Sequence, residues 1–521
     1  MLDAQEQSAS EIIGEYMTCR IGFDNQRYLR EQTQAILERA NHFGPKLYLE
    51  FGGKLLFDYH AARVLPGYDP NVKIQLLHEL RDQAQILLCI HAVTIEQKKM
   101  RADFGITYDA DALKLIDDLR DWQIELCAVV ITCYDDQPSA MRFKNKLERR
   151  GIRVYTHRPT RGYPTDVELI VSDRGYGANE FIPTTKPLVV VTGPGPGSGK
   201  LATCLNQIYH EQKHGVQAGY AKFETFPIWN LPLNHPVNIA YEAATADLQD
   251  VNMIDPFHLE AYHVTAINYN RDIEAFPIVR KILRHIAGKD PIYRSPTEMG
   301  VNRVASGIID DAVVRQAAGE EAIRRYFRYS SEYAMGLADK PTVTRAARLL
   351  ETLHLSPEDR SVVLPARQAA RDAQTSGKGH NGIYCGAAMI LPNGKLVTGK
   401  NSPLMHAASS LILNAIKQLA GMPDKLHILS PNITEAVARL KHEVLSGRNP
   451  SLDLNETLIA LSVSAISNPA AQLCLEKLKD LRGCDMHMTH IPTHGDEVGL
   501  RRLGVHLTTD PNFSTNDLYV G

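Results

Sequence analysis

No stretch of the 521-residue chain comes near the roughly eighteen uncharged apolar residues that a membrane-crossing helix needs, so no bilayer span is expected. The opening segment MLDAQEQSASEIIGEY is polar and lacks the apolar core of a signal peptide, so export is not expected either. Cysteine is sparse. The eight cysteines (Cys19, Cys89, Cys127, Cys133, Cys204, Cys385, Cys474 and Cys484) are scattered without a CxxC, and several lie in apolar runs where a free thiol behaves as a small hydrophobe. That usage suits a reducing cytoplasm. A basic excess is also missing: 57 Lys and Arg face 60 Asp and Glu, for a formal net charge of −3. With no stripe of Lys and Arg interleaved with aromatics, nucleic acid is not an expected partner.

Catalytic signatures are equally thin. The chain has no GxSxG elbow, no local pattern of a cysteine peptidase and no HExxH. His487, His490 and His494 sit beside Asp496 and Glu497, but strand residues three apart point to opposite faces, so zinc is not expected.

What is present is a large, ordinary core. With 44% hydrophobic and 22% charged residues, the chain can bury two to four domains' worth of apolar surface. KLYLEFGGKLLFDYH places apolar runs on both sides of Gly52-Gly53, which predicts a β-hairpin. Beyond it, ILLCIHA, LCAVVIT, IRVYTH and ELIVSD alternate with helical patterns around 112–122 and 138–150, as in a parallel sheet covered on both faces. From about 297 to 374, apolar residues recur at three- and four-residue spacing, and Ser356-Pro357-Glu358-Asp359 reads as a helix start. The polar stretch 372–382 is a linker or exposed loop. After it, a second hairpin around Asn393-Gly394 leads into further strands and helices. The expected class is α/β: a mostly parallel domain over 1–296, a helical domain over 297–374 and a C-terminal α/β domain over 375–521.

The strongest chemical signal is VVVTGPGPGSGKLATCLNQIYHEQ (189–212), an apolar strand running through a Gly/Pro turn into a helix. Backbone N–H groups at a helix start carry partial positive charge and lack intrahelical partners, so a turn with little side-chain bulk can wrap them around an anion. Gly193, Gly195, Gly197 and Gly199 remove that bulk, Ser198 adds a hydroxyl, and Lys200 adds a point charge for phosphate oxygens. The spacing departs from GxxxxGK[ST]: Pro194 takes the first Gly position and Leu201 replaces the hydroxyl that holds Mg²⁺, leaving Thr203 as the nearest substitute. The alternative is a tight connection whose glycines let helix pack on sheet.

A nucleotide with Mg²⁺ would need a carboxylate at a neighbouring strand end. Asp173, closing ELIVSD, is the expected metal ligand, with Asp135 and Asp136 as further acids of that kind. The stretch 231–263 gathers Asn234, His235, Asn238, Glu242, Asp247, Asp250, Asn252, Asp255 and His258 among apolar residues, either a lined pocket or a set of caps and surface pairs. On the pocket reading Glu242, Asp247 and His258 join Lys200 as catalytic candidates. SPTEMGVNRVASG, with Glu298, Asn302 and Arg303, is an anion site or a cap. HAASSLILNA follows the second hairpin in the order of a cytidine deaminase, yet Ala408 stands where the acid belongs and no PCxxC follows His406, so deaminase chemistry is not expected.

The motifs KLYLEFGGKL, HAARVLPGYDPNVK, RADFGITYDAD, GPGPGSGKLATC, NHPVNIAYEAATADLQDVNMIDPFHLEAY and SPTEMGVN occur in order along nearly the whole chain. On them the sequence resembles the bacterial family called domain of unknown function 1846, or UPF0371. The resemblance implies an α/β N-terminal part, a helical insert and a C-terminal domain of cytidine-deaminase-like topology, and it supplies no catalytic residues. Some members carry the label ATP-dependent peptidase, for whose peptidase half no nucleophile is visible here. The expected function is a cytoplasmic enzyme that binds ATP, another nucleotide or another phosphorylated small molecule at 193–200, with ligation or phosphoryl transfer as the reaction. A non-catalytic metabolite-binding protein and a structural role are the alternatives, and a homo-oligomer is the expected assembly.

Overall fold

The computed structural model describes residues 21–515 apart from 102–104, 224–225, 446 and 448; the polar N-terminal segment and Cys19 lie outside the described residues. Two compact units divide the chain, one over 21–318 and one whose described part runs from 319, and the long helix Asp311–Ala334 contains the boundary.

The first unit is built on a seven-stranded sheet: β1 (Lys46–Phe51), β2 (Ala84–His91), β3 (Leu126–Thr132), β4 (Val154–Thr156), β5 (Leu188–Thr192), β6 (Ala218–Phe223) and β7 (Gly300–Val301). Their order across the sheet is β7-β6-β1-β5-β2-β3-β4, and every pairing in it is parallel. The inner strands are continuous apolar runs because both faces are covered. Leu47, Leu49, Ile86, Leu88, Val129 and Val190 face one core, which also takes in helix residues such as Ile36, Leu77 and Leu119. Tyr48, Leu87, Val130, Val189 and Val191 face the other, with Leu205 and Ile208 of helix Lys200–Lys213 and Phe276 and Ile282 of helix Asn270–Ala287.

Two expectations fail here. The run after Gly52-Gly53 does not return as a hairpin partner, because β1 is hydrogen-bonded on one edge to β5 and on the other to β6, leaving no edge to receive it. ELIVSD is not a strand but the short helix Val167–Ile170, which Asp166 caps by accepting from the Leu169 amide at 3.0 Å. The other apolar runs occupy the strands expected of them.

A buried ion pair sits just beyond β1. Lys73 Nζ lies 2.7 Å from Asp58 Oδ2 with the lysine side chain 1% exposed, and Asp58 also caps the helix Tyr59–Val64. Burial alone would raise the Asp58 carboxyl, but Lys73 and Lys54 hold it below the usual carboxylate range.

The second unit carries a mixed sheet of β8 (Gly386–Ile390), β9 (Leu396–Lys400), β10 (Asp485–Met488) and β11 (His506–Thr509) in the order β9-β8-β10-β11. β8 and β9 form the expected hairpin, with Gly394 at φ 79°, while β10 and β11 run parallel. Helix Val363–Thr375 packs onto β8 so closely that a Cβ on Gly386 would overlap the Ala366 carbonyl. Arg360, fully buried, ties this unit together through Asp485 at 2.8 Å, the His506 carbonyl at 2.9 Å and Glu320 at 3.2 Å. Among the described residues no helix is long and apolar enough to cross a membrane.

Removing one partner of a buried ion pair strands the other charge, so Asp58→Ala is expected to lower unfolding free energy in urea by about 3–5 kcal/mol. Adding Lys73→Met to the same chain is expected to restore part of that loss.

Candidate functional site

The connections of the large sheet reverse direction between β1 and β5: β1 runs on to β2 past β5, whereas β5 runs on to β6 past β1. In a parallel sheet the crevice outside the carboxyl ends of the strands at such a reversal is where ligands bind. The glycine-rich turn, 193–199, begins there.

Its glycines answer to two different demands. Gly197 and Gly199 take left-handed φ angles of 69° and 85°, which L side chains rarely adopt. A Cβ on Gly199 would also come within 2.7 Å of the Thr132 hydroxyl, one on Gly193 within 2.6 Å of the Cys89 carbonyl, and one on Gly195 would overlap the Tyr108 ring. Around Gly197 alone there is open space. The turn is therefore tightly packed at Gly193, Gly195 and Gly199 and open at Gly197. Thr132 ties it to β3 by donating to the Ser198 carbonyl at 2.8 Å.

Lys200 opens the following helix, whose cap residue Gly199 has no side chain to satisfy the first N–H groups. Its ammonium folds back over the turn, 3.4 Å from both the Gly195 carbonyl and Ser198 Oγ, and these long contacts are weak. Among the described residues no carboxylate lies within ion-pair distance of Lys200. The helix itself is pinned at its far end, where Glu211 Oε1 accepts from Lys46 Nζ at 2.9 Å and from the Tyr48 hydroxyl at 2.7 Å.

The remaining candidates are not brought to this turn. Thr203 is buried against the sheet, where its hydroxyl accepts from Cys89 Sγ at 3.4 Å. Asp173 is bound by the Tyr209 hydroxyl at 3.0 Å and by Lys213, at the opposite end of the helix from Lys200. Thirteen residues of helix separate them by about 20 Å. Asp135 and Asp136 pair with Arg158.

The polar stretch 231–263 consists largely of internal ties. His235 and Asp255 are helix caps, Asn238 brackets the backbone of Ile228, and Glu242 accepts the Asn252 amide at 2.9 Å. His258 shares a hydrogen bond with Ser295 Oγ at 2.9 Å, Ser295 caps the short helix Pro296–Met299, and Asp247 is exposed. Asn302 caps Val304 and Glu298 accepts from the Arg294 amide.

Residues that the sequence did not single out do lie close by. Glu50, the one acid within β1, is on the helix side of the sheet; it accepts from the Tyr220 hydroxyl at 2.7 Å, and its charge and that of Lys200 both act on Cys89. Burial pushes the Cys89 thiol up to about 12. A carboxylate inside an apolar strand was the available signal. Tyr108 covers Gly195, with Lys99 Nζ 5.9 Å from its ring centroid. Between the loop after β1 and the turn is a cleft of about 30 Å³, lined by Lys54, Phe57, Asp111, Lys114, Gly193 and Pro194 among others. It is open to solvent, and its enclosed part holds roughly two waters. Among the described residues no three His, Cys, Asp or Glu side chains form a group that could hold a metal ion.

The family model described as domain of unknown function DUF1846, N-terminal, matches residues 21–354, and its C-terminal counterpart matches 358–519. The chain belongs to the DUF1846 family. It is 54% identical over 501 residues to a UPF0371 protein of Clostridium tetani (strain Massachusetts / E88), covering 96% of this chain and 99% of that one. It is 54% identical over 500 residues, with the same coverage, to UPF0371 proteins of Clostridioides difficile (strain 630) and Clostridium botulinum (strain Alaska E43 / Type E3). The family descriptions name no activity.

The two left-handed glycines separate packing from openness. Gly199→Ala combines a strained φ with a clash and is expected to cost roughly 2–5 kcal/mol, whereas Gly197→Ala carries only the conformational cost of about 1–2 kcal/mol. Calorimetric melting of both variants checks the ranking.

Proposed function

We propose that the N-terminal unit binds a phosphate-bearing small molecule, in the first instance a nucleotide, at the turn 193–199 and Lys200. The observation that carries this is the position of the turn: a helix start without a capping side chain, at the reversal point of a parallel sheet, with a lysine ammonium over it that no carboxylate among the described residues pairs with. Amides of the turn and the helix start would accept the phosphate oxygens, and Lys200 would exchange two weak contacts for strong ones to an anion.

Thr203 bonds Cys89, and Asp173 pairs with Lys213 at the other end of the helix, so neither is assigned to Mg²⁺ and no step is routed through it. ATP-driven ligation or phosphoryl transfer is the reaction class that such a site serves, with Lys200 offsetting charge on the transferred group. Glu50, whose charge acts with that of Lys200 on Cys89, and Asp111, which lines the cleft with Gly193 and Pro194, are the acids on this side of the turn. A packing-only role for the turn has its own support in the close contacts that Gly193, Gly195 and Gly199 make.

A thermal-shift comparison decides between them, using ATP, GTP, ADP, nicotinamide dinucleotides, coenzyme A and sugar phosphates, each with and without Mg²⁺. A ligand at a hundred times its Kd stabilises the folded state by about 2.7 kcal/mol, which is visible as a raised Tm. The expected outcome is a shift from one phosphate class in the parent protein that disappears in Lys200→Ala. Equal shifts in both proteins, or none in either, favour the packing role.

A further inference from the structure

The histidines of the second unit, left unused by the proposal above, are not scattered. His406 immediately precedes the helix Ala407–Leu419, and its Nδ1 lies 2.7 Å from Asp496 Oδ2. Asp496 is fully buried near the start of the helix His494–Leu503, where it also accepts from the Thr493 hydroxyl at 2.8 Å and the Leu454 amide at 2.9 Å. Burial would raise this carboxyl, but the hydrogen bonds from His406, Thr493 and Leu454 bring it below its ordinary range. An ionised carboxylate that accepts from Nδ1–H fixes the imidazole tautomer, leaving the Nε2 lone pair directed away from the pair. That nitrogen receives the Asn449 side-chain amide at 3.2 Å, and the imidazole keeps 15% of its surface exposed.

His490 adds the second observation. It is buried, its Nδ1 has no hydrogen-bond partner, and both Asp496 and His406 act on it electrostatically. Burial pushes its pKa down to about 4, so it is neutral at pH 7. A buried polar nitrogen without a partner costs free energy that a bound group would recover. Cys385, also within the field of Asp496, is no nucleophile: burial pushes its thiol up to about 12.

We propose that the C-terminal unit carries a proton-abstracting site in which His406 Nε2 takes the proton of an O–H donor and His490 Nδ1–H hydrogen-bonds the oxygen left behind. The O–H bond breaks, an N–H bond forms at Nε2, and the electron pair stays on oxygen. Asp496 holds the imidazolium, and no oxidant or co-reactant is required. The Asn449 amide occupies the place of the incoming donor and is displaced by it. The donor is either a hydroxyl of a small molecule or water.

Diethyl pyrocarbonate, which acylates neutral accessible imidazole, is the probe, with labelling of the full-length protein followed at each histidine by mass spectrometry. His406 is expected to label at least as fast as the exposed His42. Asn449→Ala, a change that leaves the Asp496 bonds in place, is expected to speed labelling of His406 alone. Asp496→Asn is expected to slow it by about tenfold or more, with folding verified by circular dichroism. Slower labelling of His406 than of His42 in both the parent and Asn449→Ala overturns the proposal, as does an unchanged His406 rate in folded Asp496→Asn. Hydrolysis of p-nitrophenyl acetate separates the donors: loss in His406→Gln assigns water, and equal hydrolysis with intact His406 labelling assigns a substrate hydroxyl.

Discussion

The direction of seven strands governs the N-terminal unit. Because every pairing in the large sheet is parallel, all seven carboxyl ends open on one edge, and each strand-to-strand connection must cross a face of the sheet. Helices therefore cover both faces, the inner strands become mostly apolar, and the loops at one edge are left for polar chemistry. The turn after β5 lies at the point where those crossings change sense. Its location follows from topology, not from its own residues.

Positioning of that turn depends on both ends of one helix. At the near end the left-handed Gly199, pressed against Thr132, lets Lys200 begin the helix directly over the strand end. At the far end the Lys46–Glu211–Tyr48 contacts hold the last turn of helix to the base of β1. A buried carboxylate placed this way is worth more for orientation than for net stability, since desolvation offsets much of the attraction.

Much of the fold was legible. The runs at 86–92, 126–132 and 152–157 and the hairpin at Asn393-Gly394 rest on local periodicity or turn chemistry, and each has its counterpart in the structure; the stretch after 297, read as helical, is so from Asp311 but also holds the edge strand Gly300–Val301. Failures came where local pattern competed with an already filled neighbourhood: Gly52-Gly53 is a fair hairpin signal, but β1 had two parallel partners from elsewhere in the chain. ELIVSD, read as a strand, is a short helix capped by Asp166. The polar richness of 231–263 reflects the number of short helices there, each needing a cap, because Asn, Asp and His satisfy helix starts as readily as they bind ligands.

By itself the sequence determined the α/β class, most strand and helix positions, the glycine-rich turn with its lysine, and membership of the DUF1846 family, since these depend on residues close together in the chain or on similarity along it. Only the tertiary structure decided strand order, the reversal between β1 and β5, and the convergence of the Glu50 and Lys200 charges on Cys89. It alone joined His406 to Asp496 across ninety positions of sequence. Local periodicity specifies elements through short-range sterics and solvent exposure, but which strand ends and side chains meet is settled by the packing of whole faces, and that is where sites are made.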